Sequence, residues 1–201
     1  MKKLLTALAI TTALVLTGCS NVDTALTLGD VKITTTELTA KIDTILTERA
    51  KVDTSQMQLE TGETLLRSQL QTILFMEGFS ALAEELKIEV SNSEVAARRG
   101  QILEQIGGED LLPQALVSAS VAPEALDPYL RSLIITEKVG QALIQAGVAE
   151  NEVQLRLEAL FVAKINSLKI EINPRYGKWD PETGQIIPEI VASDAVTPST
   201  E

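Results

Sequence analysis

The residues of this 201-residue chain that could carry out chemistry are few. The sequence contains a single cysteine, Cys19, and no histidine. A lone cysteine cannot form an intramolecular disulfide, and a metal site needs more ligands than one thiolate. Without histidine, Ser-His-Asp and Cys-His arrangements are excluded, and a zinc site would have to consist of carboxylates alone. The role of the one thiol must therefore be sought in the residues around it.

The residues before Cys19 have the pattern of an export signal. A short positive start, Lys2 and Lys3, is followed by an apolar run of 13 residues at 4–16. A helix that spans a bilayer needs roughly 20 apolar residues, so this run fits the h-region of a secretory signal. Its end, Leu16-Thr17-Gly18-Cys19, resembles the lipobox of bacterial lipoproteins. The alternative is an ordinary signal peptide that happens to contain a cysteine.

The lipobox resemblance implies cleavage after Gly18 and a diacylglycerol on the thiol of Cys19. The protein would then be anchored by lipid to the extracytoplasmic face of a cell membrane, periplasmic or cell-surface according to the envelope. Removal of the signal peptide, 1–18, takes away two lysines and leaves 15 basic and 28 acidic residues, a net charge of −13. Nucleic acid requires a basic face, so we expect no nucleic-acid partner, and we expect contact with the membrane through the lipid at Cys19.

The remaining sequence gives no sign of a catalytic site. It has no G-x-G-x-x-G, no G-x-x-x-x-G-K-[ST] and no C-x-x-C motif. Carboxylates are plentiful, but they lie on the polar sides of helical patterns, where solvated charge is the ordinary reading. A catalytic pair of carboxylates is the less favoured alternative. We therefore predict that the protein is not an enzyme and uses no cofactor.

The secondary structure predicted for the chain after Cys19 runs in the order strand, helices, strand. Apolar residues alternate within 21–33, with a turn or bulge at Gly29-Asp30, and they alternate strictly within 168–172. Between them, capping boxes at Thr34/Glu37 and Ser91/Glu94 mark helix starts. Helical periodicity predicts helices at about 34–50, 63–87, 91–106, 123–146 and 150–167, with a short amphipathic piece at 109–118. The fold class is therefore mainly α.

Several of these segments together resemble a known family. Residues 28–38, Leu-Gly-Asp-Val-Lys-Ile-Thr-Thr-Thr-Glu-Leu, resemble the opening of the SurA-like and PrsA-like foldase chaperones, although Leu-Gly-Asp replaces the usual Asn-Gly. Residues 85–95 resemble the junction that follows the long helix of that family, and 130–143 fits the helix that closes its N-terminal domain. Residues 173–180 are similar to a segment near the C-terminus of some exported relatives. The resemblance covers roughly 26–180.

The resemblance implies one SurA N-terminal-like helical domain over 19–180, closed by the C-terminal helix and by pairing of the terminal strands. A flexible tail is expected at 181–201. Many members of the family insert a parvulin-type prolyl isomerase domain where this chain has only the five residues 147–151. The implied function is that of a membrane-anchored chaperone-like lipoprotein. It would hold unfolded or newly exported polypeptides and would lack prolyl isomerase activity.

Candidate residues for a polypeptide-binding groove are Met57, Met76, Phe79 and Tyr129, because flexible and aromatic apolar side chains tolerate many partners. Apolar residues at helical spacing, however, more often belong to a core than to a groove. Two other functions remain open: a structural or regulatory lipoprotein that docks one envelope partner, and a ligand-binding lipoprotein.

Overall fold

The computed structural model describes residues 23–189, which fold mainly into helices with strands near both ends. The helices are α1 (Thr35–Arg49), α2 (Gly62–Leu86), α3 (Asn92–Ile106), α4 (Leu112–Ser118), α5 (Leu126–Gln145) and α6 (Glu150–Ser167). The strands are β1 (Thr24–Leu28), β2 (Val31–Thr34), β3 (Ile170–Ile172), β4 (Lys178–Asp180) and β5 (Gln185–Ile187). The predicted mainly-α class is thus confirmed. Gly18 and Cys19 lie outside the described residues, and no helix within 23–189 is long and apolar enough to cross a membrane.

Local hydrogen bonds explain why α1 and α3 begin where the sequence predicts. The Glu37 backbone N–H donates to Thr34 Oγ1 at 3.1 Å, and the Thr34 backbone N–H donates to Glu37 Oε2 at 2.8 Å. Ser91 and Glu94 form the same reciprocal pair at the start of α3. Each box satisfies N–H groups that a helix start leaves without an intrahelical partner.

The two ends of the described chain meet in one three-stranded sheet of order β2-β1-β3. β1 pairs antiparallel with β3, which places Leu26 opposite Ile172 and Leu28 opposite Ile170. Leu26 and Leu28 are buried in a core to which α2 also contributes, and Ile33 packs against the same core. The expected pairing of the terminal strands is therefore present, with Gly29-Asp30 as the turn between β1 and β2.

Helix α2 is the central element, because α1, α5, α6 and β5 all pack against it. Its wide apolar stripe serves two cores. One core lies under the terminal sheet, and the other lies between α2, α5 and α6. A third core joins α3, α4 and α5. The chain thus packs around α2 on several sides, as its broad apolar stripe predicts.

The expected start of the flexible tail at 181 is wrong. β4 and β5 form an antiparallel hairpin in which Trp179 lies opposite Ile186, and residues 181–184 form the turn between them. Ile186 is buried in the same core as Tyr176. Strands of three residues give too little alternation to be recognised in a sequence, so the hairpin was missed. The rest of the predicted tail, 190–201, lies outside the described residues.

Candidate functional site

An open cleft of about 390 Å³ is lined by residues of α2 and α5, and we call it the α2–α5 cleft. Met76, in the middle of α2, lines this cleft and also a small cavity of about 20 Å³ that it shares with Tyr129. The fold thus brings together two of the four candidate residues. The cleft is lined by Met76, Glu77, Ser80, Asp127, Pro128, Arg131, Ser132 and Ile135.

The other two candidates lie elsewhere. Phe79 is only 4% exposed, and its ring stacks on Phe161 with the ring centroids 5.2 Å apart. It is therefore a core residue that a client cannot reach, and its proposed place in a groove is wrong. Met57 is half-buried in the connection between α1 and α2 and is not among the residues that line the α2–α5 cleft.

Phe75 was not among the candidate residues, yet its ring lies between the ring of Tyr129 and that of the core residue Phe79. Its ring lies 6.0 Å from that of Tyr129 and 5.0 Å from that of Phe79, measured between centroids. The spacing of four residues between Phe75 and Phe79 places both rings on the same face of α2, and that spacing is visible in the sequence. What the sequence could not indicate is that Tyr129, on α5, would lie against this face.

The rim of the cleft carries the carboxylates of Glu77 and Asp127 and the guanidinium of Arg131. The guanidinium is already engaged, because it donates to the Val90 carbonyl and, at 2.8 Å, to Asn92 Oδ1. Arg131 therefore connects α5 with the segment before α3 and with the first residue of α3. The lining also includes the apolar side chains of Met76 and Ile135 and the buried Ser132, and the Asp127 carboxylate pairs with Arg99 at 3.7 Å.

The buried side chain of Arg49 holds two connecting segments, the one before α2 and the one before α5. Arg49 is 9% exposed and donates to the Glu60 carbonyl at 2.6 Å and to Ser120 Oγ at 2.9 Å. Gln69 Nε2 also donates to the Ser120 carbonyl, at 2.9 Å. These bonds hold the connections before α2 and before α5 in place. A basic residue in the last turn of a helix normally suggests a solvated charge, so no signal in the sequence indicated this role.

The carboxylates of the described residues lie apart from one another or at helix caps and turns. Within 23–189, no group of three or more Cys, Asp or Glu residues is arranged to hold a metal ion. The carboxyl groups whose pKa is clearly shifted are all shifted downward: Glu37, Asp53, Glu94 and Asp180. The largest shift is that of Glu94, because the Lys138 ammonium and the Ser91 N–H and hydroxyl all donate to it and lower its pKa to about 2. These groups are ionised at neutral pH, as is usual for carboxylates at caps and turns.

A second open space, of about 510 Å³, lies between α2, α6 and the β4–β5 hairpin, and we call it the α2–α6 groove. Gln71 on α2 and Gly184 in the hairpin turn both line it. Its lining consists of Glu60, Thr64, Arg67, Ser68, Gln71, Glu158, Phe161, Val162, Thr183, Gly184, Gln185 and Ile186. No sequence signal indicated this groove, because one of its walls is the hairpin that the sequence did not reveal.

No protein-family model, curated protein or solved structure matches this chain. The function must therefore be argued from the residues of the chain itself.

Proposed function

We propose that the protein is a membrane-anchored, extracytoplasmic chaperone-like lipoprotein that holds unfolded or newly exported polypeptides. The observation that carries this proposal is the α2–α5 cleft, which combines an apolar floor of Met76 and Ile135 with the carboxylates of Glu77 and Asp127 at its rim. The unbranched, polarisable side chain of methionine adapts to partners of different shape. The Glu77 carboxylate favours basic segments and repels acidic ones, whereas Asp127 already pairs with Arg99 at 3.7 Å.

The proposal includes no catalytic step. α5 ends at Gln145 and α6 begins at Glu150, so the connection between them is four residues long. A connection of this length has no room for the isomerase domain that many SurA-like and PrsA-like chaperones carry there. The function we assign is therefore binding alone.

Suppression of aggregation tests the proposal. We expect the purified full chain to suppress aggregation of the insulin B chain after reduction, at ratios near one to one. Met76→Gln should weaken this suppression several-fold, because it places a polar amide on the floor of the cleft. Leu155→Gln is the matched control: Leu155 is 67% exposed on α6 and does not line the cleft.

Two outcomes would contradict the proposal. If the wild-type chain does not suppress aggregation, it is not a general holding protein. If Met76→Gln and Leu155→Gln weaken suppression equally, the α2–α5 cleft is not the binding site. Purification of one envelope protein in stoichiometric amount, with no suppression, would favour the alternative of a docking lipoprotein.

The anchor is tested separately through Cys19. We expect Cys19→Ala to leave an uncleaved or soluble precursor, because this thiol is the only one in the chain that could carry lipid. Metabolic labelling with a palmitate analogue, with and without globomycin, measures the modification. Label that persists in Cys19→Ala would show that lipid is attached elsewhere.

A further inference from the structure

Four hydrogen bonds from side chains of α2 and α6 hold the main chain of the β4–β5 hairpin and of the segment just before it. The Gln71 amide donates to the Gly184 carbonyl at 3.1 Å and accepts from the Ile186 N–H at 2.9 Å. Arg67 donates to the Tyr176 carbonyl at 3.3 Å. On α6, Asn166 donates to the Pro181 carbonyl at 3.1 Å.

These hydrogen bonds are made to main-chain N–H and C=O groups, which every polypeptide has. The Gln71 amide bonds the Gly184 C=O in the turn and the Ile186 N–H in β5, much as one residue of a neighbouring strand would. Recognition through main-chain hydrogen bonds is how sheet edges bind extended peptides of varied sequence. The surface formed by α2 and α6 therefore has the chemistry to bind an extended segment with little regard to its side chains.

The hairpin forms a small sheet of its own that packs on the core under the terminal sheet. Its strands have three residues each, and they form a two-stranded sheet distinct from the terminal sheet. A two-stranded hairpin is marginally stable in water by itself, so its place depends on the bonds to α2 and α6 and on the burial of Tyr176 and Ile186. Beside it, the α2–α6 groove still has about 510 Å³ of open space.

We propose that the face of α2 and α6 covered by the hairpin, next to the α2–α6 groove, is a second site for an extended segment of an unfolded polypeptide, and that the hairpin is its intramolecular occupant. The client pairs with the main-chain-binding groups of α2 when the hairpin lifts. The charged residues that line the groove are Glu60, Glu158 and Arg67, and the excess of negative charge favours basic clients. This inference rests on the proposed holding function. The client binds only those molecules in which the hairpin has lifted. Its apparent affinity is therefore the intrinsic affinity multiplied by the fraction of such molecules.

Trp179 gives a direct measure of hairpin displacement, because it is the only tryptophan and lies in β4. Its indole N–H donates to Asn166 Oδ1 at 2.8 Å, and its ring packs against the core under the terminal sheet. The probe is reduced and carboxamidomethylated ribonuclease A, which is unfolded and basic and contains no tryptophan. Titration of the full chain with this probe should shift the Trp179 emission to longer wavelength as the indole enters water.

Asn166→Ala loosens the hairpin without altering the groove, because Asn166 bonds Pro181 and Trp179 but does not line the groove. We expect this variant to bind the probe about fivefold more tightly than the wild type, as loss of net hydrogen-bond stabilisation implies. Asn151→Ala is the matched control, since Asn151 is exposed on the same helix. It should bind like the wild type.

A photo-crosslinking residue locates the bound probe. Placed at Thr64, which is exposed and lines the α2–α6 groove, it should crosslink to the probe. Placed at Ser118, which is exposed on α4, it should not. Three results would overturn the second site. They are binding that leaves the Trp179 emission unchanged, binding without a crosslink at Thr64, and equal affinity of Asn166→Ala and the wild type for the probe. Absence of binding in every protein overturns the proposed holding function itself.

Discussion

Glu94 closes the capping box of α3 and also accepts a hydrogen bond from Lys138 on α5. The Lys138 ammonium and the Ser91 donors lower its pKa from an ordinary value of 4.5 to about 2. A carboxyl group whose pKa is lower in the folded state than in the unfolded state stabilises the fold above its unfolded pKa. That stabilisation is lost as the pH falls through the folded value. For Glu94 the loss occurs between about pH 5 and pH 2.

Glu94→Gln should therefore change how stability depends on acid. We expect a lower melting temperature at pH 7, because the charge partner of Lys138 is gone. We also expect a smaller fall in melting temperature between pH 5 and pH 2.5 than in the wild type. Glu104→Gln, an exposed change on the same helix, is the matched control. Parallel curves for Glu94→Gln and wild type would show that the low pKa of Glu94 does not contribute to stability.

Single residues differ in how well the sequence indicates their roles. The capping boxes could be predicted because both partners lie within four residues of one another. Arg49 and Gln71 could not, because their partners are remote: Ser120 is 71 residues from Arg49, and Ile186 is 115 residues from Gln71. A pattern within one segment contains no information about such contacts. This is also why Met76 and Tyr129 could be suggested only as separate candidates.

At the scale of elements, α2 and α6 approach closely at Gly78. A Cβ atom built there would lie 2.6 Å from Phe161 Cε2 and 2.7 Å from Ile165 Cδ1. Gly100, in the interior of α3, has nothing within 4 Å of the same position. The two glycines are alike in the sequence, since both lie inside helices. Their surroundings are opposite.

The same substitution should consequently have opposite effects at these two sites. We expect Gly78→Ala to destabilise the fold by about 1–3 kcal/mol, because the methyl group forces apart side chains packed between α2 and α6. We expect Gly100→Ala to stabilise it by about 0.5–1 kcal/mol, because alanine loses less backbone entropy in a helix. Urea unfolding of the two variants measures both values. Stabilisation by both substitutions would mean that the side chains around Gly78 make room for a methyl group without cost.

The sequence predicts long elements better than short ones. α2 could be placed within one residue at each end, because 25 residues give many repeats of the helical period. β4 and β5 have three residues each and hence almost no periodic signal. Their position depends on side chains of α2 and α6, which are remote in the sequence. One wall of the α2–α6 groove was invisible for the same reason.

At the scale of the whole molecule, the terminal sheet joins the two ends of the described chain on one core. Asn173 strengthens this closure, because its side-chain amide donates to the Thr24 carbonyl at 2.9 Å and its backbone N–H donates to the Ala25 carbonyl at 3.0 Å. β1 therefore has partners on both sides, β2 and β3. The sheet lies over the apolar face of α2 that contains Leu70 and Leu74.

Deletion of residues 168–180 should destabilise the helices as well as the sheet. The deletion removes β3 and β4 together with Tyr176, and it exposes Leu26 and Leu28 on β1. We expect a loss of several kcal/mol, since each large buried side chain contributes roughly 2–5 kcal/mol. Ile172→Ala should produce a smaller shift in the same direction. Thermal melts measure both, and an unchanged melting temperature in the deletion variant would show that the sheet does not support the core.

The pairing of β1 with β3 also sets an order of events during synthesis. Leu26 leaves the ribosome long before Ile172, its partner in the sheet. At roughly 5–20 residues per second, the N-terminal strand waits about 7–30 s for its second neighbour. During this interval it can form only the β1–β2 hairpin, which is marginal by itself. The fold is thus completed only when nearly the whole chain has been made, and a nascent chain that stops before Ile172 has an open sheet edge at β1.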